Sequence, residues 1–199
     1  MKEWLYDWGG LNVALFHAIN ANHAAWLDRM MLALTWIGDH DRFPLYLAVL
    51  ALIAWRRISR DPGSPGARAW MLALATFSIG YLLDGMLVIG LKSAFDFPRP
   101  LAILPADSLV VVGAPELRHS LPSGHASFAM LVAAVLWPQA KNLPTRVALA
   151  LFVAAVCLSR PYLGMHFPAD VVSGSLGSLL VVIAIRVTLT KWTPARLTG

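Results

Sequence analysis

The chain has 199 residues, of which 58% are hydrophobic and only 14% are charged, and its mean hydropathy is +0.63. Soluble domains are far less apolar, so the composition excludes a large soluble domain and predicts an all-α, polytopic membrane helical bundle. The net charge of +5 does not indicate a nucleic-acid-binding protein, because the cations stand at the ends of the apolar segments.

The length predicts a single membrane-embedded domain, residues 1–199, with about six membrane-embedded helices of about 20 residues each. Residues 1–10 lack the uninterrupted apolar stretch of a cleavable signal peptide. Residues 11–20 are predicted to form an amphipathic interfacial helix, and residues 24–37 a short or tilted span.

The central part begins with an apolar run at residues 43–55, which is followed by a predicted loop at residues 59–68. A longer apolar run, residues 69–91, contains Asp84, which in a membrane needs a polar partner and is expected to be structural. The proline-rich stretch at residues 93–121 is predicted to be the longest connection in the chain.

The C-terminal part has three more apolar segments, residues 123–137, 144–158 and 168–189, and a polar tail, residues 191–199. The lone cysteine, Cys157, lies in an apolar run, so neither a disulfide framework nor a thiolate metal site can form. A polar cluster at residues 39–42 contains candidate metal ligands, but consecutive loop residues rarely form a metal site. No metal or other cofactor is therefore expected.

The distribution of lysine and arginine predicts the orientation of the bundle. If the apolar segments alternate, nine cations fall on one face and five on the other. The nine are Arg56, Arg57, Arg60, Arg68, Lys141, Arg146, Arg186, Lys191 and Arg196, and the five are Arg42, Lys92, Arg99, Arg118 and Arg160. By the positive-inside rule the first face is cytoplasmic. The second face is then the periplasmic or extracellular side of a bacterial inner membrane.

Two cations flank the start of the long connection. Lys92 ends an apolar run, and Arg99 follows seven residues later between Pro98 and Pro100. A guanidinium binds two phosphate oxygens at once, whereas an ammonium acts as a point charge. On its own, such a pair is more typical of snorkelling cations at a membrane boundary.

The sequence Pro122-Ser123-Gly124-His125 opens an apolar helix. Ser123 is the predicted N-cap, and Gly124 lets a ligand approach the backbone closely. Free amide N–H groups and the positive end of the helix dipole then face an anion. His125 lies in the first turn, where a structural hydrogen bond is the alternative role.

The third group begins with Ser159-Arg160 at the end of a span. His166 precedes a helix predicted to begin near Pro168, and Asp170 lies four residues after His166, so its carboxylate can reach the imidazole across one turn. That contact would fix the tautomer and leave the other ring nitrogen free to attack phosphorus. A helix-capping Asp170 is the alternative.

In order and spacing, these three groups resemble the three-part signature of the type 2 phosphatidic acid phosphatase family. That family contains membrane lipid phosphatases and, more distantly, soluble bacterial acid phosphatases and vanadium haloperoxidases. The resemblance covers about residues 69–189 and extends more loosely to the N-terminal helices. It implies a six-helix membrane fold with its active site at the outer leaflet.

The resemblance also implies a two-step reaction through a phosphohistidine. His166 would be the nucleophile, Asp170 its orienting carboxylate, and His125 the acid that protonates the leaving oxygen and later the base that activates water. The phosphoryl oxygens would be bound by Lys92, Arg99, Arg160, Ser123 and Gly124. Three fixed cations would replace a metal ion, so the expected partners are a lipid phosphate or diphosphate and the membrane lipids.

The sequence leaves the substrate open among undecaprenyl diphosphate, phosphatidylglycerol phosphate and phosphatidic acid. Some undecaprenyl diphosphate phosphatases of the family carry an acid where this chain has Gly124, which weighs against that substrate. A lipid A phosphatase or a lipid phosphotransferase uses the same signature. From another class, a non-catalytic membrane protein that binds lipid phosphates would lack the nucleophile or the acid, and this chain has both. The sequence predicts no oligomeric state.

Overall fold

The structure of the protein is a computed structural model that describes residues 6–192. Residues 1–5, and residues 193–199 of the predicted polar tail, lie outside the described residues. Residues 6–192 contain helices and connections but no β-strand, which confirms the all-α class. The α-helices are α1 (Leu11–Asn20), α2 (Ala25–Ile37), α3 (Phe43–Arg60), α4 (Pro65–Phe95), α5 (Pro100–Ile103), α6 (Gly124–Leu136), α7 (Leu143–Tyr162) and α8 (Pro168–Trp192). Short 3₁₀ helices follow α2 and α6 at His40–Arg42 and Trp137–Gln139.

The outer surface of the bundle is apolar, as expected for an integral membrane protein. Within residues 6–192, three segments are long and apolar enough to cross a membrane by length and composition: Pro65–Ile103, Leu143–Tyr162 and Pro168–Lys191. Leu82 and Met86 of α4 point outward, and Met86 is 70% exposed. Such a surface would be unfavourable in water, whereas lipid tails are as apolar as these side chains.

Helix α6 lies at the centre of the bundle. It is apolar on all sides, as a buried helix is expected to be, and Phe128, Leu131 and Val135 have no exposed surface. These side chains share one core cluster with Phe77 of α4 and Val182 of α8. This packing holds the N-terminus of α6 in a fixed position between the two long helices.

A glycine allows α8 to approach the start of α6. The backbone N–H of Ser123 donates a hydrogen bond to the carbonyl oxygen of Asp170 at 2.9 Å. One turn further along α8, a Cβ atom on Gly174 would overlap the carbonyl oxygen of Ser123. Because the obstacle is backbone, it cannot rotate away as a side chain could.

We therefore expect Gly174→Ala to destabilise the protein by about 1–3 kcal/mol, the usual range for an overpacked core. Gly177→Ala is the matched control, since a Cβ atom there would lie 3.5 Å from the Cδ2 atom of Leu87, an ordinary contact. Unfolding of both variants in detergent measures the difference. Equal stability would contradict the close approach of α8 to Ser123.

The loop predicted at residues 59–68 is present but shorter than predicted, because α3 continues to Arg60 and α4 already begins at Pro65. The side chain of Ser64 accepts a hydrogen bond from the backbone N–H of Ala67 at 3.1 Å, which caps α4. Pro65 occupies the first helical position, where no backbone N–H is needed. The proline that indicated a break in the sequence therefore starts a helix.

Candidate active site

The three groups of motif residues meet at one end of the bundle. Lys92 lies in the last turn of α4, Arg99 precedes α5, and His125 lies in the first turn of α6. Arg160 lies near the end of α7, and His166 stands in the connection before α8. These five residues and Gly124 line one cavity of about 530 Å³. Ser123 and Asp170 are fully buried.

The ring of His166 is held between a cation and a carboxylate. Its Nε2 atom lies 3.2 Å from Nη1 of Arg99, and its Nδ1 atom lies 3.3 Å from Oδ2 of Asp170. A guanidinium can only donate hydrogen bonds, so Nε2 must be the unprotonated nitrogen and Nδ1 carries the proton. The predicted contact of Asp170 across one helical turn is present in the structure.

Burial keeps His166 neutral. The side chain is 2% exposed, and burial lowers the pKa of His166 well below its usual value, with the cations of Arg160 and Arg99 acting in the same direction. At physiological pH the ring therefore keeps a lone pair on Nε2. A neutral imidazole with a free lone pair is the form that can act as a nucleophile.

Asp170 is positioned by residues that the sequence did not indicate. Its carboxylate accepts hydrogen bonds from the hydroxyl of Ser120, the backbone N–H of Phe167 and the hydroxyl of Tyr6, the last at 2.8 Å. Burial, followed by the charge of Asp170, raises the pKa of Tyr6 beyond its usual range, so the phenol stays protonated and donates. The N-terminal segment thus contributes directly to the site.

Two buried asparagines of α1 fix the backbone around these groups. Asn12 accepts a hydrogen bond from the backbone N–H of Ala169 at 2.9 Å, at the start of α8. Asn20 accepts from the N–H of Val110 and donates to the carbonyl oxygens of Val110 and Tyr162. The end of α7, which carries Arg160, is thereby tied to the long connection.

The two arginines are anchored differently. Arg99 donates to the backbone carbonyls of Arg118 and Met165 at 3.0 and 3.1 Å, and it forms an ion pair with the exposed carboxylate of Glu116. Arg160 donates to the hydroxyl of Thr35. Its Nε atom is buried and has no hydrogen-bond partner among the described residues. Both guanidinium groups reach the cavity from fixed positions.

The Ser123 hydroxyl at the start of α6 makes no hydrogen bond to the residues that the structure describes. Ser123 occupies the predicted N-cap position, but its side chain makes no capping hydrogen bond. Within residues 6–192 its buried Oγ atom has no hydrogen-bond partner, an arrangement that costs about 1–3 kcal/mol when nothing compensates it. A ligand oxygen at this helix N-terminus would supply the missing hydrogen-bond partner.

The structure also shows the contacts of Asp84 and of the polar cluster at residues 39–42. Asp84 is fully buried and accepts a hydrogen bond from the hydroxyl of Ser127 at 2.7 Å. In the polar cluster at residues 39–42, His40 lines the cavity, and Asp39 faces His125 with 3.7 Å between Oδ2 and Nε2. Across the described part of the chain, no group of three histidine, cysteine, aspartate or glutamate side chains is placed to hold a metal ion.

A protein-family model described as PAP2 superfamily matches residues 69–194 of the chain. The match begins where the sequence resemblance was predicted to begin, and it includes the three groups of motif residues.

The proteins similar to the chain include two curated proteins and one solved structure that cover most of its length. Decaprenylphosphoryl-5-phosphoribose phosphatase of Mycolicibacterium smegmatis is 34% identical over 142 residues, which cover 71% of this chain and 68% of that protein. Undecaprenyl-diphosphatase of Sulfolobus acidocaldarius is 27% identical over 187 residues, 91% of this chain and 80% of that protein. The crystal structure of Aquifex aeolicus LpxE superposes with a TM-score of 0.71 at 29% identity, covering 88% of this chain and 94% of that one.

Proposed function

The chain belongs to the PAP2 superfamily and is a membrane lipid phosphatase, and we propose that it hydrolyses the phosphomonoester or diphosphate of a lipid through a phosphohistidine at His166. The observation that carries this proposal is the orientation of the His166 ring. Arg99 can only donate a hydrogen bond to Nε2. An ionised Asp170 has no proton to donate, so it accepts a hydrogen bond from Nδ1–H. The nitrogen at the cavity therefore has the lone pair that the reaction needs.

In the first step the lone pair on Nε2 of His166 forms a bond to phosphorus as the bond from phosphorus to the leaving oxygen breaks. Protonated His125 gives its proton to that oxygen, so that an alcohol or a lipid monophosphate departs. In the second step water attacks phosphorus and neutral His125 takes its proton. The N–P bond breaks, its electron pair returns to Nε2, and inorganic phosphate is released.

The cations supply the electrostatic part of catalysis. Lys92, Arg99 and Arg160 line the same cavity, and they bind the phosphoryl oxygens together with the Ser123 hydroxyl and the Gly124 amide. Fixed donors of this kind stabilise charge as it redistributes in the transition state. In this proposal the three side chains perform the role that a metal ion has in other phosphatases, and no cofactor takes part.

The cavity extends from these polar groups onto the apolar face of α4. Leu82, Met86 and Ile89 line it, and each of them is more than half exposed on the outer surface of the bundle. A lipid can therefore place its phosphate among the cations while its chain lies along α4 toward the membrane. This arrangement fits an isoprenoid chain and a diacyl chain alike.

The names of the two curated relatives described above, each of which matches at least 71% of this chain, favour a polyprenyl lipid, so undecaprenyl diphosphate is the first substrate to test. Phosphatidylglycerol phosphate, phosphatidic acid and lipid A are the alternatives, and transfer of the phosphoryl group to another lipid is the alternative reaction. The excess of cations at the opposite ends of the spans supports a periplasmic or extracellular active site in a bacterial inner membrane.

The experiment measures phosphate release by the purified protein in detergent with EDTA, across these four lipids, for wild type and His166→Ala. We expect release by wild type alone, and the ranking of kcat/KM values identifies the substrate class. No release from any of these lipids would contradict the proposed hydrolysis. A radiolabelled phosphoryl group that moves from one lipid to another would support phosphotransfer instead.

A further inference from the structure

The polar cluster after α2 brings a second carboxylate to the active site. Asp39 precedes the 3₁₀ helix His40–Arg42, and its Oδ1 atom accepts a hydrogen bond from the backbone N–H of Asp41 at 3.0 Å. Its other oxygen, Oδ2, faces Nε2 of His125 at 3.7 Å. One oxygen therefore fixes the side chain while the other is directed at the imidazole.

His125 has no competing hydrogen bond among the described residues, although its ring is only 26% exposed. The groups that face it are Arg160 of α7, His166 before α8, and Asp39 and His40 from the α2–α3 connection. Burial and the Arg160 cation together disfavour a positive charge on the ring more strongly than Asp39 favours it. Asp39 is the carboxylate that opposes them.

The neighbouring histidine does not compensate the charge of Asp39. Burial lowers the pKa of His40, and this effect exceeds the opposing influence of Asp39. His40 is therefore neutral at physiological pH, and the negative charge of Asp39 remains available to His125. At 3.7 Å the pair is longer than a hydrogen bond but within ion-pair distance.

We propose that Asp39 is a positioning residue that favours the protonated form of His125 and orients the ring for its role as the general acid. An imidazolium has two N–H groups, so the one at Nε2 faces Asp39 and the one at Nδ1 serves the leaving oxygen. Each catalytic histidine would then be paired with an aspartate, the nucleophile His166 with Asp170 and the acid His125 with Asp39. This inference rests on the proposed function, because it assigns a partner to His125 in that reaction.

The test compares substrates that need the acid with one that does not. A lipid alkoxide is a poor leaving group and must be protonated as it departs, whereas p-nitrophenolate departs without a proton. The value of kcat/KM reports the steps up to formation of the phosphoenzyme, so it isolates the departure of the leaving group. The measurements use the full-length protein in detergent, with phosphatidic acid and p-nitrophenyl phosphate.

The variant Asp39→Asn keeps the Oδ1 acceptor for the Asp41 N–H and replaces the charged oxygen that faces His125 with a neutral amide NH2 group. We expect it to lower kcat/KM for the lipid roughly tenfold, equivalent to about one pKa unit of the acid, and to change the value for the aryl phosphate by less than about twofold. The control Asp41→Asn removes the same charge from an exposed side chain two residues away. It should leave both values within about twofold, the scale of a weak surface interaction.

A double-mutant cycle separates this role from a structural one. In a His125→Ala background, Asp39→Asn should have no further effect on lipid hydrolysis, because the group through which it acts is gone. An equal loss on both substrates, no loss on the lipid, or an undiminished effect without His125 would overturn the proposal while leaving the proposed function intact. A wild type that hydrolyses neither of these substrates, nor undecaprenyl diphosphate, phosphatidylglycerol phosphate or lipid A, would overturn both.

Discussion

Replacing His166 with alanine is expected to lower phosphate release by at least about a hundredfold, since the reaction loses the group that bonds to phosphorus. The loss should be similar for lipid and aryl phosphates, because both transfer their phosphoryl group to the same nitrogen. Steady-state kinetics of the purified variant in detergent measure the change.

A matched control is His17→Ala, which removes an imidazole from α1 at a site outside the cavity. It should retain close to wild-type activity. Thermal unfolding of both variants shows whether the loss in His166→Ala reflects chemistry, since a folded, inactive protein is expected. A folded His166→Ala protein that still releases phosphate at the wild-type rate would end the assignment of the nucleophile.

The second large effect is expected for His125→Ala, and it depends on the substrate. With a lipid phosphate, loss of the acid should lower the rate of phosphoenzyme formation at least about a hundredfold. With p-nitrophenyl phosphate the first step needs no acid, so the phosphoenzyme should still form. Hydrolysis of the phosphoenzyme needs His125 as the base, so the phosphoenzyme should accumulate in this variant.

Rapid-quench kinetics with p-nitrophenyl phosphate test this directly. A burst of p-nitrophenol close to one per active site, followed by slow turnover, is the expected result for His125→Ala. A variant with no burst, or one equally slow on both substrates, would show that His125 does not act as the acid in the first step and the base in the second.

The sequence predicted the parts of the site that depend on local spacing. Helix α8 begins at Pro168 as predicted, and the contact between His166 and Asp170 follows from their separation within one helical turn. Gly124 starts α6, also as predicted. The catalytic and phosphate-binding roles of these residues remain predictions that the mutants above test.

The groups that the sequence did not indicate act over long separations. Tyr6 reaches Asp170 across 164 positions, and Asn12 reaches Ala169 across 157. A tyrosine that precedes α1, or an asparagine within that amphipathic helix, has no spacing that marks it as part of a distant site. Asp39 was noted as part of a polar cluster, but only the packing of the α2–α3 connection against α6 places it beside His125.

Trapping the phosphoenzyme tests most directly whether His166 is the nucleophile. Wild type, His125→Ala and His166→Ala are mixed with radiolabelled p-nitrophenyl phosphate, denatured and digested, and the labelled peptide is identified by mass spectrometry. We expect an acid-labile, base-stable phosphoryl group on His166 that accumulates in His125→Ala and is absent in His166→Ala. Label on another residue, or an active enzyme without label in His125→Ala, would contradict this role of His166.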